Sequence, residues 1–391
     1  MSHPHRPFPP LRIGASRRTF LTQSARLMGG AALLGGPLLA ACGSDDDADP
    51  VDTTAGTTPD TTPDTTADTA AGTTPAAGST SATPAELGTV RTAFNWQVDV
   101  EWASWYLADS MGMFSSRGVT TPFVHGGPNT PAVAQVLAAG DADVGVASDE
   151  LQLIKANAEG ADFVILGAMY QRSPSGYVWL AETDISSAED LVGKKIGLTT
   201  GDEIRVDALF KVNGLEPDYE RIAMSFDPQP LIDGEADVIT CYVTNQPIQL
   251  SLQGIQNVSM PFSDFGLKAF GDILFASRSY VEENRDLLVA YFAGLLEGVE
   301  ANKADPMAVI PLLTDVYGKD IEVDVAYVEA GNPAYIALLD SDFTDANGLL
   351  SIDPDYMENE VYPSYEAAGE TDLPPVSELL DTSVMADAHS A

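Results

Sequence analysis

The chain has 391 residues with 58 acidic and 19 basic side chains, which give a net charge of −39 at neutral pH. Such an acidic chain repels nucleic acid and anionic lipid headgroups, so neither is expected as a partner. Two cysteines and four histidines argue against a disulfide framework, a histidine-built metal site and catalysis that uses several histidines, and no cofactor is expected.

The first 42 residues have the features of an export signal. Ser16-Arg17-Arg18-Thr19-Phe20-Leu21 matches a twin-arginine pattern, and an apolar segment follows over 27–41. About 15 apolar residues are too few to span a bilayer, and a short apolar core after a basic start favours a signal peptide over a buried amphipathic helix. The end of the segment resembles a bacterial lipobox, so we predict cleavage after residue 41 and lipidation of Cys42. The mature protein is then expected on the outer face of the cytoplasmic membrane, held there by its lipid anchor alone.

Residues 42–87 are predicted to form a disordered acidic tether. The segment consists mainly of Thr, Asp, Pro, Ala and Gly, with three Thr-Thr-Pro triplets. It cannot bury enough apolar surface to offset the entropy of ordering, and Asp45-Asp46-Asp47 is better explained by solvation than by calcium binding. Removal of residues 1–41 takes away five arginines and no acid, which leaves 14 basic against 58 acidic residues and a net charge of −44. We interpret this charge as an aid to solubility.

Short apolar strands then alternate with well-capped helices. Strands are predicted at 90–96, 119–124, 144–147, 163–169, 195–198, 222–226, 237–242 and 273–276. Helices are predicted at 105–114, 131–139, 149–159, 188–191, 202–212, 246–253 and 279–302. This alternation is typical of an α/β protein with mostly parallel sheets covered by helices on both faces.

An internal echo suggests two similar lobes. Gly140-Asp141-Ala142-Asp143-Val144 and Gly234-Glu235-Ala236-Asp237-Val238 each begin a strand–helix unit of the same length, although chance resemblance is the alternative. We predict one lobe from residues 88–178 plus 274–391 and another from residues 179–273. The two chain crossings, near 177–181 and 271–276, would form a hinge.

Several motifs, in this order and spacing, resemble one known family. They are Asn95-Trp96 with Tyr106, Ala108, Gly112 and Phe114; Leu137-Ala138-Ala139-Gly140-Asp141-Ala142-Asp143; Asp190-Leu191-Val192-Gly193-Lys194-Lys195-Ile196-Gly197; Asp207 with Leu209; and Asp264-Phe265-Gly266. The chain resembles the NMT1/THI5-like branch (SsuA/THI5 superfamily) of periplasmic solute-binding proteins, the receptors of ABC importers. The resemblance implies a type II periplasmic-binding-protein fold that closes on a small molecule and presents it to a permease.

The resemblance also bounds the ligand. Similar receptors bind thiamine pyrimidine precursors, riboflavin or aliphatic sulfonates, and a related branch contains pyrimidine synthases. Those enzymes carry a histidine where this chain has Trp102, together with a cysteine-rich motif that is absent here, so enzymatic activity is not expected. Many relatives carry an Asn-Glu pair where this chain has Asn245-Gln246. Because Gln246 replaces the glutamate, this chain lacks the carboxylate that would accept a hydrogen bond from a ligand amine there.

Side chains at the carboxyl ends of the strands are the expected ligand contacts, since α/β sheets bind ligands there. Trp96 and Tyr242 are predicted to stack on a flat ligand, whereas Trp102 is equally consistent with a core position. Glu150 accepts ligand donors or merely suits a helix dipole, and Asn245 and Gln246 orient the ligand or cap a helix. The remaining expected contacts are Asn95, Tyr170 and Thr200.

The loop that contains Thr200 opens a predicted helix, where an anion would be favoured. Asp202 and Glu203 stand at the same position and would repel a phosphate or sulfonate, with Arg205 offsetting part of this repulsion. The sequence therefore favours a monomeric, lipid-anchored receptor for a small aromatic heterocycle, most like a thiamine pyrimidine precursor. Riboflavin, a sulfonate-type anion and, least favoured, synthase chemistry are the alternatives.

Overall fold

The computed structural model describes residues 86–127, 130–199, 202–225 and 227–391. The predictions for the signal segment, for Cys42 and for nearly all of the tether lie outside the described residues, as does Thr200. No helix in these described ranges combines the length and the apolar character that a membrane span requires.

The first stretch of the fold alternates strands with helices, as predicted. Strand β2 is shorter than the predicted strand because the chain leaves the sheet at Asn95. The elements are β1 (Gly88–Thr89), β2 (Thr92–Phe94), α1 (Ala103–Ser110), β3 (Val119–Thr120), β4 (Phe123–Val124), α2 (Val133–Ala138), β5 (Val144–Ala147), α3 (Glu150–Ala158) and β6 (Phe163–Tyr170).

The second stretch repeats this alternation. Two of its strands, β7 and β11, did not emerge from the sequence pattern. The elements are β7 (Ser175–Leu180), β8 (Lys195–Leu198), α4 (Glu203–Val212), β9 (Glu220–Ala223), α5 (Gln229–Ile232), β10 (Val238–Tyr242), α6 (Gln246–Leu252) and β11 (Asn257–Pro261).

The last stretch contains one strand followed by helices. The predicted helix over 279–302 is divided at Asn284, whose backbone leaves the helical conformation. The elements are β12 (Gly271–Ser277), α7 (Arg278–Glu283), α8 (Arg285–Ala304), α9 (Ile310–Leu312), α10 (Val325–Ile336), α11 (Asp342–Asn347), α12 (Pro354–Tyr356), α13 (Tyr362–Ala367), α14 (Val376–Leu379) and α15 (Ser383–Ala388).

Two five-stranded sheets organise the part of the chain that the structure describes. The first has the order β4-β2-β5-β12-β6 and the second the order β11-β7-β10-β8-β9. Each contains two parallel and two antiparallel pairings, and the antiparallel ones all involve β7 or β12, which follow the passages between the sheets. We call the sheets with their covering helices the first and second lobes.

The internal echo corresponds to matching local structure in the two lobes. Asp143 Oδ2 accepts a hydrogen bond from the backbone N–H of Arg91 at 2.8 Å, and Asp237 Oδ2 accepts one from that of Lys195 at 2.9 Å. Each aspartate therefore ties the start of one strand to its parallel neighbour, β5 to β2 and β10 to β8. The carboxyl ends of these four strands carry the loops and helix starts of the candidate site.

Candidate functional site

A groove opens where loops of the two lobes meet. Its volume is about 440 Å³, and its lining comes from the loop after β2, the loop after β9 and helix α6. The lining residues are Trp96, Gln97, Asp99, Ser225, Asp227, Asn245, Gln249 and Gln253. The groove thus offers one indole together with amide, hydroxyl and carboxylate groups.

Two of the residues predicted from sequence, Trp96 and Asn245, line this groove. Trp96 is half-buried and packs against the core of the first lobe. Asn245 is buried at the N-cap of α6, where its Oδ1 accepts a hydrogen bond from Gln249, another lining residue. The groove therefore joins an aromatic face of one lobe to an amide network of the other.

Tyr242 and Gln246 lie beside the groove at the end of β10. The Gln246 Oε1 accepts a hydrogen bond from the backbone N–H of Tyr242 at 3.1 Å, which fixes the turn into α6. The Tyr242 hydroxyl donates to Asp272 Oδ1 at 3.3 Å. Since Asp272 begins β12 of the first lobe, this hydrogen bond connects the two lobes.

Asn95 lies next to Trp96 and turns toward the interior of the first lobe. Its Nδ2 donates to Ser148 Oγ at 2.8 Å, which joins the end of β2 to the end of β5. Its Oδ1 is buried and accepts no hydrogen bond from the described residues. The amide thus retains an acceptor that a ligand donor can use.

Glu101 and Asp272 were not identified from the sequence, yet they form a buried acidic pair at this site. Glu101 is 5% exposed and Asp272 is fully buried. Burial, together with the neighbouring carboxyl, raises the pKa of Glu101 well above its usual range, and burial raises the pKa of Asp272 to about 7. Burial likewise raises the pKa of nearby Asp99 to about 6. The sequence carried no signal for this pair because the two residues are far apart in the chain.

Glu150 lies away from the groove, beneath the passages between the lobes. Its Oε1 accepts a hydrogen bond from the Tyr365 hydroxyl at 2.9 Å, and its Oε2 accepts one from the backbone N–H of Phe270 at 3.2 Å. Burial, with repulsion from Asp149 second, raises the pKa of Glu150 to about 8. These bonds occupy the carboxyl group in the described structure.

Trp102 and Tyr170 are both buried. The Trp102 ring stacks on Phe94 with 4.4 Å between ring centroids, and its Nε1 donates to the backbone carbonyl of Gln97 at 2.9 Å. Tyr170 stacks on Tyr335 at 6.0 Å. Trp102 therefore supports the loop that carries Trp96 from behind.

The start of α4 is occupied by its own side chains. Asp202 Oδ2 accepts hydrogen bonds from the hydroxyls of Thr199 and Thr240, each at 2.8 Å, and Asp202 Oδ1 pairs with Arg205. Arg205 also reaches across to Asp149 Oδ2 of the first lobe at 3.3 Å. The repulsion expected at this helix start is thus compensated by an internal ion pair.

Known proteins resemble the chain in sequence and in fold. The riboflavin-binding protein RibY of Chloroflexus aurantiacus is 26% identical over 248 residues, which cover 60% of this chain and 69% of that protein. The formylaminopyrimidine-binding protein of Halalkalibacterium halodurans is 25% identical over 232 residues, covering 57% and 68%. The solved alkanesulfonate-binding protein SsuA from Xanthomonas axonopodis pv. citri, bound to MOPS, has a TM-score of 0.57 at 19% identity and covers 76% of this chain and 99% of its own.

The type II periplasmic-binding-protein fold that the sequence predicted is confirmed by this structural likeness. A model of the family described as NMT1/THI5 like matches residues 99–309, more than half of the chain, and spans the end of the loop after β2, the second lobe and the return through β12 and α8. The chain belongs to the NMT1/THI5-like family.

Proposed function

We propose that the protein captures a small aromatic heterocycle, most like a thiamine pyrimidine precursor, and delivers it to the permease of an ABC importer. The observation that carries this proposal is the groove between the lobes, with the Trp96 indole on one side and the Asn245 amide on the other. A planar ring between such groups gains both stacking and directed hydrogen bonds. The lobes close on the ligand, and the ligand stabilises the closed form because it contacts both lobes only there.

The proposed contacts divide by position. Trp96 and Tyr242 stack on the ring, while Asn95, Asn245 and Gln246 orient its heteroatoms. Trp102 supports the loop that carries Trp96, whereas ligand contact by Glu150 and Tyr170, which are buried and do not line the groove, is retained on the sequence argument alone. Thr200, outside the described residues, is retained on the sequence argument alone.

Riboflavin is the second candidate ligand, supported by the likeness to RibY. A sulfonate is less favoured, since the groove contains Asp99 and Asp227 and the start of α4 already holds Asp202. Arg205, the cation in the first turn of that helix, is committed to Asp202 and Asp149.

We propose a receptor rather than a synthase. The Cys241 thiol is buried, and burial raises its pKa well above the usual range, so it is held as an unreactive thiol. The His125 Nε2 forms a hydrogen bond with the Tyr106 hydroxyl at 2.7 Å, and burial lowers the pKa of this histidine to about 4. These environments favour structural roles for both residues.

The proposed cellular setting follows from the amino-terminal segment. We propose a monomer that is exported by the twin-arginine route and anchored through Cys42, with residues 42–87 as its tether. The division into residues 88–178 plus 274–391 and residues 179–273 stays a proposal, and strands β7 and β12 span its boundaries. Cys42→Ala should release the protein from membranes in cell fractionation, and continued membrane association would argue against the anchor.

Ligand capture is tested with purified protein and three probes: formylaminopyrimidine, riboflavin and MOPS. A ligand that binds the folded state raises the melting temperature by mass action, and calorimetry then gives its affinity. We expect formylaminopyrimidine to give the largest shift. Absence of any shift with the first two probes at millimolar concentration would overturn the proposed function, and a response to MOPS alone would assign the groove to anions. Mass spectrometry of small molecules that co-purify with the protein provides an independent identification.

A further inference from the structure

Three buried acceptor groups meet beside the groove, and we call Asn95, Glu101 and Asp272 the acceptor cluster. Asn95 Oδ1, Glu101 Oε1 and Asp272 Oδ2 are each buried and accept no hydrogen bond from an N–H or hydroxyl group of the described residues, although the carboxyl groups of Glu101 and Asp272 are close enough to share a proton. Within the described ranges, neither carboxylate forms an ion pair with a lysine or arginine. Buried acceptors that lack donors are uncommon in folded proteins and call for an explanation.

The surrounding contacts leave these three atoms available. The Asn95 Nδ2 donates to Ser148 Oγ and its second N–H is directed at the Asp272 carboxyl, and the Tyr242 hydroxyl donates to Asp272 Oδ1. Asp99 Oδ1 accepts hydrogen bonds from the backbone N–H of Glu101 and from the Tyr327 hydroxyl, so Asp99 supplies another negative group and no donor. The donors of Tyr242 and Asn95 therefore reach Asp272, whereas Asn95 Oδ1, Glu101 Oε1 and Asp272 Oδ2 accept from none of these N–H or hydroxyl groups.

A buried carboxylate pair of this kind is unfavourable when the site is empty. Loss of hydration without a compensating donor destabilises each charged group, and the two charges repel each other. The raised pKa values of Glu101 and Asp272 show the consequence, because the pair retains a proton at a pH where an ordinary carboxyl has lost it. A cationic N–H donor offsets both penalties, because it donates hydrogen bonds to the carboxylates and its charge compensates theirs.

The cluster adjoins the groove at the junction of the lobes. Asn95 and Glu101 belong to the same loop as Trp96 and Asp99, which line the groove. Asp272 begins β12 in the first lobe, and Tyr242 of the second lobe covers it. A separation of the lobes that moves Tyr242 away uncovers Asp272, as expected for the floor of a cleft that opens and closes.

We propose that the acceptor cluster binds an N–H donor group of the ligand, of the aminopyrimidine or amidine class and cationic when bound, and that Glu101 and Asp272 supply the carboxylate that Gln246 lacks. This inference rests on the proposed function and narrows it. A sulfonate is repelled by the pair. A flavin ring presents mainly acceptor atoms at its polar edge and leaves most of the cluster unsatisfied.

The variants Glu101→Gln and Asp272→Asn test the proposal, because each keeps the size of the side chain and removes its charge. We expect each to weaken formylaminopyrimidine binding at least about tenfold by calorimetry, as for loss of a charge-assisted hydrogen bond. We also expect each to raise the melting temperature of the unliganded protein, since one of two repelling groups is removed. A merely structural role would lower the melting temperature instead.

Asp207→Asn is the matched control. Asp207 Oδ1 accepts a hydrogen bond from the Tyr219 hydroxyl at 2.9 Å within the second lobe, away from the groove. This variant should bind formylaminopyrimidine as the wild type does. A pyrimidine with a methyl group in place of the amino group removes the donor from the ligand side, needs no variant protein and should bind at least about tenfold more weakly.

The outcomes separate this inference from the proposed function. If formylaminopyrimidine binds the wild type and both charge-removing variants equally, the inference is wrong and the proposed function stands. Equal binding of the methyl analogue, or binding of riboflavin alone, has the same meaning. If neither formylaminopyrimidine nor riboflavin binds, the proposed function itself fails. A thermal shift with calcium chloride in the absence of a pyrimidine, present in the wild type and lost in both Glu101→Gln and Asp272→Asn, would assign the cluster to a metal ion and overturn the inference.

Discussion

Trp96 is the aromatic residue in the lining of the groove, and its contribution to binding can be isolated. In Trp96→Ala a planar ligand loses its stacking surface, so we expect an affinity loss of about 1–3 kcal/mol, or roughly fivefold to 150-fold. Trp96→Phe should lose less, because a smaller ring remains. Calorimetry with formylaminopyrimidine measures both variants.

Tryptophan fluorescence provides the control for this prediction. The Trp179 ring is buried in the second lobe, away from the groove, so a ligand in the groove should quench Trp96 and leave Trp179 unaffected. Quenching of wild-type strength in Trp96→Phe would show that the ligand does not contact Trp96.

Glu150 gives the stability of the fold a pH dependence. Its pKa is about 8 in the folded protein against 4.5 for a free side chain, so the folded state holds a proton that the unfolded chain has released. The stabilisation from this proton is complete below pH 4.5 and is lost as the pH rises through about 8. Wild-type stability should therefore fall across this window, by up to about 1.4 kcal/mol per pH unit.

Glu150→Gln removes this titration while keeping an acceptor for the Tyr365 hydroxyl or the Phe270 N–H. We expect the variant to lie within about 1 kcal/mol of the wild type at acidic pH and to be the more stable protein at alkaline pH. Urea unfolding at both ends of the window measures the difference. The pH dependence that comes from other acids cancels in this comparison, because both proteins contain them. If the difference in unfolding free energy were the same at both pH values, the protonation of Glu150 would not change on folding.

At the residue scale, the sequence located the parts of the site that local pattern determines. Trp96 follows a strand and Asn245 opens a helix, so position alone placed both at the sheet edges that form the groove. Glu101 and Asp272 meet only through the antiparallel return of β12 beside β5, a long-range pairing that no local pattern specifies. The predicted helix over 149–159 begins one residue too early for a smaller reason: Asp149 is itself the N-cap, and α3 begins at Glu150.

At the scale of elements, helices α1 and α8 pack unusually closely through Gly298. A Cβ at this position would overlap the carbonyl oxygen of Ser104 and lie 2.7 Å from the Cβ of Ala108. Glycine within a helix ordinarily lowers stability by about 1 kcal/mol relative to alanine. Here the absence of the side chain permits the contact between the two helices.

Gly298→Ala should therefore destabilise the protein by about 1–3 kcal/mol, because the helices must move apart. The higher helix propensity of alanine alone would instead stabilise the protein. Glu300→Ala is the control, since Glu300 is exposed on the same helix and should change stability by less than about 0.5 kcal/mol. Chemical unfolding measures both. Stabilisation by Gly298→Ala would show that the helices tolerate separation at no cost.

The elements that the sequence predicted are those with a strong local period or cap. Strand β5 and the short 3₁₀ helix at Ala188–Leu191 have the bounds that the sequence predicted. Strand β11 was missed because its exposed and half-buried residues on a sheet edge show no apolar run. The division of the helix at Asn284 was missed because the apolar pattern continues across it.

At the scale of the whole molecule, the two lobes share one strand plan. In each sheet the three strands at one side pair in parallel, and the antiparallel pairs lie at the other side. Counted from the side with the parallel strands, the fourth strand is β12 in the first lobe and β7 in the second. Each of these two strands follows a passage of the chain between the lobes. Any rotation between the lobes must therefore be absorbed near these two strands. The predicted hinge and the acceptor cluster lie in the same region. The residues proposed to contact the ligand are therefore close to the residues at which the lobes are proposed to rotate.

The ion pair between Arg205 and Asp149 links the lobes directly, and Asp149→Asn should weaken this link selectively. Asparagine still caps α3, and Arg205 keeps its pairing with Asp202, so the fold is preserved while the closed form loses a contact between the lobes. We expect a larger radius of gyration for the unliganded variant by small-angle X-ray scattering. Formylaminopyrimidine should restore the wild-type value, with an affinity lowered severalfold because part of the binding energy now drives closure. Arg221→Gln removes the pairing of Arg221 with Glu203 inside the second lobe and should leave both measurements unchanged. Identical scattering from wild type and Asp149→Asn would mean that this ion pair does not influence how the lobes close.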